Sequence, residues 1–267
     1  MTKLMQNKKG LIMGVANDHS IAWGIAKTLS DHGASLAFTY QGDALLKRVK
    51  PLAQSVGSDI ILPCDVTNED QLDDVFAALE KEWGELDFIV HAVAYSNKDE
   101  LTGRYVDTSL SNFLNTMHIS CYSFTSVMRR AAPMMKEGGS AITLSYYGAQ
   151  KVMPNYNVMG VAKAALEAST RYLAADLGAQ GVRVNAISAG PMRTIAGSAI
   201  GSARQTYKYN QISAPLQRSV KLEELGGAGL YLLSDLGGAV TGEIHYVDCG
   251  YNVIGMPPYE KIKEFIG

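Results

Sequence analysis

Short apolar runs alternate with amphipathic stretches along the whole chain. GLIMGV (10–15), SLAFTY (35–40), DIIL (59–62), LDFIVHAVA (86–94), AITLS (141–145), VRVNAIS (182–188) and EIHYV (243–247) each read as a buried strand. Between them the apolar spacing lengthens to helical intervals. Ile21, Ile25 and Leu29 recur at every fourth position, and Gly33 follows as a helix stop. Leu72, Val75, Phe76, Leu79 and Trp83 form one stripe, with Asn68 placed to cap it and Gly84 to end it. Strands apolar on both faces, separated by helices, predict a parallel sheet covered on both sides. The expected fold is α/β, a Rossmann-type doubly wound sheet of about seven strands. No linker, repeat or low-complexity tract interrupts the pattern, so residues 1–267 read as one domain.

The stretch from Tyr156 to Leu177 differs from the other helices. Its apolar positions cover most of the circumference: Val158, Met159, Val161, Ala162, Ala164, Ala165, Leu166, Ala168, Tyr172, Leu173 and Ala175. One sheet covers one face of such a helix. The second face calls for another loop of the chain or another subunit, and the subunit interface is favoured.

Composition narrows the class. Apolar residues make up 47% and charged residues 19% of the 267, which excludes a disordered chain. The net charge of −2 argues against nucleic acid or an anionic membrane as the main partner. Cys64, Cys121 and Cys249 are odd in number and widely spaced, so neither a metal site nor a disulfide framework is expected. A reducing, cytoplasmic setting fits them.

Candidate chemistry clusters where strands end. After the first strand the sequence reads GVANDHSIAWG, with Gly14 at the strand end and Ser20 at the start of the next helix. Helix N-terminal amides favour a phosphate and glycine permits close approach, yet the middle glycine of G-x-G-x-x-G is absent. That segment alone also fits a plain strand end followed by a plain cap. The second strand ends at Gln41, which bonds a ribose hydroxyl but brings no charge for a 2′-phosphate, although Lys47 and Arg48 lie further on. NADH is favoured there. Asp65 ends the third strand, where it would accept from an adenine amino group or cap the next helix.

The segment LSYYGAQKVMPNYNVMGVAKAALEA (144–168) carries more. Position 159 is methionine, so no tyrosine stands four residues before Lys163; Tyr156 stands seven before it. In a helix seven residues advance about 700°, which puts both side chains on one face about 10 Å apart along the axis. A donor displaced in this way suits a reaction in which hydride reaches one carbon while charge develops on an oxygen two carbons away.

These segments, with LAFTYQ, CDV, VRVNAISAGPMRT and SDLGGAVTGEIHYVDCGY, resemble the NADH-dependent enoyl-acyl-carrier-protein reductases of bacterial fatty-acid synthesis, a divergent branch of the short-chain dehydrogenases/reductases. The resemblance spans almost the whole chain. It implies Tyr156 and Lys163 as the catalytic pair and Tyr146 as a further active-site residue. Gly14, Ser20, Ile21, Gln41, Asp65, Val66, Val93, Lys163, Met192, Arg193, Thr194, Ile195 and Ala196 match its dinucleotide contacts, and Ser96 a substrate contact. It further implies an acyl-carrier-protein-bound enoyl thioester as substrate and a homotetramer. Residues at about 192–210 suit a lid over the acyl chain. Val93-Ala94 replaces the common Ile-Gly, and Cys249 replaces a glycine, where a small apolar thiol is expected to change little. A dehydrogenase acting on a hydroxyl or ketone, and a nucleotide sensor without catalysis, are the alternatives.

Overall fold

The computed structural model describes residues 3–194 and 203–266. Seven strands form one sheet: β1 (Lys9–Met13), β2 (Ser35–Tyr40), β3 (Ile61–Pro63), β4 (Phe88–His91), β5 (Gly139–Ser145), β6 (Val182–Ala189) and β7 (Ile244–Val247). Their order is β3-β2-β1-β4-β5-β6-β7, and every neighbouring pair is parallel. This is the doubly wound architecture the apolar runs predict. The chain steps outward from β1 to β3 and then returns to β4 on the other side of β1. That reversal opens a crevice at the carboxyl ends of β1 and β4.

Strand alternation sorts the core into two layers. Ile12, Phe38, Phe88, Val90, Ile142 and Ile187 face one side, against α1 (Ile21–Asp31), α2 (Gly42–Ser55) and a helix near the C-terminus, Leu222–Leu233. Leu11, Met13, Ala37, Ile89, Ala141 and Val184 face the other, against α3 (Glu69–Trp83) and the helices after β4 and β5. Asn68 caps α3 by accepting from the Gln71 amide, and Gly84 ends it at φ 68°, in the left-handed region.

After β4 come α4 (Leu110–Met117), a π-helical turn (His118–Tyr122) and α5 (Ser123–Ala131). After β5 comes α6 (Asn157–Leu177). Helix α7 (Ala203–Ser213) precedes α8 (Leu222–Leu233), and α9 (Tyr259–Ile266) ends the described chain. The ladder of β4 stops at His91, short of the apolar run's end at Ala94. There Ala92 and Val93 leave the sheet and are half-buried. Helix α6 buries Val158, Met159, Ala162, Lys163, Leu166, Glu167, Thr170 and Ala174. Val161, Ala164, Tyr172 and Ala175 face outward.

Candidate active site

The site is built on strand ends. Gly14 follows β1 with φ 96°, and a Cβ there would overlap the Ala92 carbonyl oxygen. Only glycine lets the two strand ends lie this close, and it leaves bare backbone at the crevice. Ser20 stands at the N-cap position of α1 but does not cap it. Its hydroxyl accepts from the amides of Ala16 (3.0 Å) and Asn17 (3.1 Å), folding the loop back on itself. The side chain therefore takes none of the first-turn amides, and no acidic residue lies in that turn. The positive end of α1, starting at Ile21, suits an anion.

At the end of β2, Gln41 Nε2 donates to Asp65 Oδ2 at 2.8 Å. Asp65 Oδ1 accepts from the Thr67 amide at 2.9 Å and its hydroxyl at 2.7 Å. Burial works against the carboxylate's charge, but these three bonds outweigh it and hold the pKa below the usual range. The adenosine end of the crevice thus carries a negative charge. Val66 is buried beside it.

At the end of β5, Tyr146 and Tyr156 meet with ring centroids 5.1 Å apart and planes at 74°, an edge-to-face contact. Tyr156 is the residue before α6, not its first turn, and Asn155 (φ 58°) and Asn157 (φ 32°) flank it in the left-handed region. Asn157 Nδ2 donates to the Glu100 carbonyl at 3.1 Å, tying the loop after β4 to the start of α6. Leu101, Val158, Met159 and Ala162 pack with Tyr156. Burial pushes the hydroxyls of both Tyr146 and Tyr156 well above the ordinary value of 10.0, so each is a neutral donor at pH 7.

Lys163 is 6% exposed. Its Nζ donates to the Leu144 carbonyl at 2.7 Å. The last registered pair of β4 and β5 is His91 with Thr143, so that carbonyl lies beyond the ladder and takes the ammonium as its partner. Burial lowers the Lys163 pKa from 10.5 to about 8. His91 lies fully buried, Nε2 2.9 Å from Ser123 Oγ and Nδ1 3.2 Å from Thr143 Oγ1. Burial pushes its pKa down to about 3, so the ring is neutral.

The other expected residues divide. Val93 follows β4 into the crevice. Ser96 is 9% exposed, and its hydroxyl accepts from Thr116 Oγ1 at 2.9 Å and Asn112 Nδ2 at 3.3 Å, a network within the protein. Met192 packs against the α1 layer, and its carbonyl accepts from the Thr194 amide at 2.9 Å. The exposed Arg193 lies over the Tyr207 ring, 4.8 Å from its centroid. Ile195 and Ala196, with the rest of 195–202 from the expected lid, lie outside the described residues. Cys249 is half-buried rather than buried, and its φ of 60° puts a non-glycine residue in the left-handed region. Sequence reasoning missed Glu167, His91 and Asn157. The signal for Glu167 was a lone acid four residues after Lys163 in an apolar helix.

A family model described as Enoyl-(Acyl carrier protein) reductase matches residues 14–252. The Enoyl-[acyl-carrier-protein] reductase [NADH] 2 of Rhizobium meliloti is 60% identical over 263 residues, covering 98% of both chains. The crystal structure of FabI from Candidatus Liberibacter asiaticus superposes with a TM-score of 0.95 at 54% identity, over 97% of this chain and 100% of that one. The enoyl-(acyl-carrier-protein) reductase of Anaplasma phagocytophilum, solved in complex with NAD, gives 0.93 at 59% identity over 96% and 97%.

Proposed function

The chain belongs to the enoyl-(acyl carrier protein) reductase family, and from that premise we propose that Tyr156, Tyr146 and Lys163 carry its reaction. It is an NADH-dependent oxidoreductase that reduces the trans-2 double bond of enoyl thioesters on acyl carrier protein, the reductive step of fatty-acid elongation. When bound, NADH supplies the hydride. The cradle fits a dinucleotide: bare backbone at Gly14, an uncapped α1 terminus for a pyrophosphate, and Gln41 for a ribose hydroxyl. Asp65, ionised beside Gln41, repels a 2′-phosphate and favours NADH over NADPH. An ammonium has three donors, and with one on the Leu144 carbonyl, two remain for ribose hydroxyls.

Tyr156 donates to the thioester oxygen as negative charge develops there. The observation that carries this reading is the contact of buried Tyr156 with half-buried Tyr146, both with hydroxyls that stay protonated. A carbonyl dehydrogenase instead needs a tyrosine base one turn before the lysine, where Met159 sits buried. The outward row of Val161, Ala164, Tyr172 and Ala175 on α6 supports a homotetramer, and the three free cysteines support a cytoplasmic setting. The deciding assay mixes NADH with a crotonyl thioester and then with a β-ketoacyl thioester, following loss of reduced-nicotinamide absorbance. Oxidation with the first alone is expected; oxidation with the second alone overturns the assignment.

A further inference from the structure

Glu167 is a buried acid with no part in the steps above. It lies on α6 one turn after Lys163 and is 4% exposed. Ser145 Oγ donates to its Oε1 at 2.6 Å, a length typical of a hydroxyl on a charged oxygen. The Gln150 side chain lies near enough to favour the charged form of this carboxyl group. Ser145 is the last residue of β5, and Gln150 follows the short helical turn Tyr147–Ala149. The donor Ser145 therefore sits immediately before Tyr146 in the chain. One turn earlier on the same helix, Lys163 holds the carbonyl of Leu144. Two consecutive residues at the end of β5 are thus each tied to α6, one through its backbone and one through its side chain.

Burial pushes the Glu167 pKa up, while the bond from Ser145, the nearby Gln150 side chain and the charges of Arg171 and Lys163 pull it down. Tyr156 and Tyr246 are the other titratable groups that sense it. A buried acid is a poor way to stabilise a helix–sheet contact, since a well-packed apolar side chain often does as well or better. What an apolar residue cannot do is receive a hydrogen bond from the residue just before a catalytic tyrosine.

We propose that Glu167 is a positioning residue: its carboxyl group ties Ser145, the residue just before Tyr146, to α6 and so fixes Tyr146 against Tyr156. This rests on the reductase reading above. The test is steady-state reduction of a crotonyl thioester by the full chain and its Glu167→Ala, Glu167→Gln, Ser145→Ala and Glu167→Ala/Ser145→Ala variants. NADH affinity is measured alongside, and circular dichroism checks folding. Glu167→Ala and Ser145→Ala should each lower kcat by about 10- to 100-fold, the scale of a small misplacement of a reacting group. NADH affinity should stay within about twofold, and the double variant should fall within about twofold of the worse single one, because both remove one interaction. Glu167→Gln keeps an acceptor oxygen and should recover most of the loss. A kcat near that of the wild type in Ser145→Ala, multiplied losses in the double variant, or NADH affinity falling as far as kcat, would each overturn the proposal. If Glu167→Ala does not fold, Ser145→Ala and Glu167→Gln decide it. A wild-type chain without enoyl reduction would sink the functional reading instead.

Discussion

Replacing Lys163 with methionine separates what the residue does for the cofactor from what it does for the fold. Burial lowers its pKa from 10.5 to about 8, against weaker upward pulls from Cys121 and Glu167. A depression of that size makes the buried ammonium unfavourable by about 3 kcal/mol. Below pH about 8 both the folded and unfolded chains are protonated, so the full penalty is present. Between about 8 and 10.5 the folded chain releases its proton first, and the penalty fades as pH rises. At pH 7 methionine, similar in length, removes the penalty. It also strips the Leu144 carbonyl of its donor, a loss of about 1–3 kcal/mol. The two effects offset, so the melting temperature should move by less than about 4 °C in a chain of this length. NADH affinity has no such compensation. Losing charge-assisted bonds to the ribose removes about 1.5–3 kcal/mol, a weakening of about 10- to 150-fold. Fluorescence titration of NADH and thermal melts at pH 7 read both quantities. Wild-type affinity should also decline as pH rises through about 8, while that of the variant stays flat. An affinity within about twofold of wild type would refute the clamp. So would a wild-type affinity that holds through that pH range.

Tyr156→Phe keeps the edge contact with Tyr146 and removes the donor, so kcat should fall about 10²-fold with NADH affinity unchanged; an unchanged kcat in single-turnover kinetics refutes the role. Gln41→Arg places a cation where a 2′-phosphate would lie and breaks the bond to Asp65. The kcat/KM ratio of NADH to NADPH should drop about tenfold or more, and an unchanged ratio shows that Gln41 does not read the ribose. Gly14→Ala forces a side chain at φ 96° into the Ala92 carbonyl oxygen and should cost about 2–4 kcal/mol. A melt lowered by roughly 4–7 °C, with weaker NADH binding, is expected, and an unchanged melt refutes the packing argument. Ala168→Glu, on the half-buried flank of the outward row of α6, should reduce a tetramer to smaller species in light scattering; an intact tetramer removes that face from the interface.

The sheet was legible because a parallel strand buried on both faces leaves a run of apolar residues that little else produces. All seven strands fall within or beside their predicted runs. The fourth shows where that logic fails. LDFIVHAVA is apolar through Ala94, yet pairing ends at His91. A residue lining a crevice and a residue inside a ladder leave the same letter in the sequence. Ser20 fails for a related reason: helical periodicity locates the start of α1 but does not say which amides a hydroxyl will take. Helix α6 mixes polar and apolar residues on both faces. Its buried stripe holds Lys163, Glu167 and Thr170, while its outward row is Val161, Ala164, Tyr172 and Ala175. An amphipathic reading alone does not orient it, and the buried polar residues at spacings of three and four are what set its inner face apart.

One physical cause then sets the chemistry of that stripe. Burial favours the neutral form of every ionisable group, which raises a tyrosine and lowers a lysine. Tyr156 is driven away from tyrosinate, and Lys163 is brought to about 8 but remains mostly charged at pH 7. A pocket built to take a proton from an alcohol would need the opposite at the tyrosine: an anion stabilised by a close ammonium. Here the ammonium gives one donor to the Leu144 carbonyl, and the nearest aromatic neighbour of Tyr156 is a half-buried phenol. Two neutral donors beside one tethered cation can stabilise an oxygen on which charge appears, but they have no base to offer. The same desolvation that makes the site unfavourable for stability therefore fits the enolate stabilisation proposed above better than alcohol oxidation.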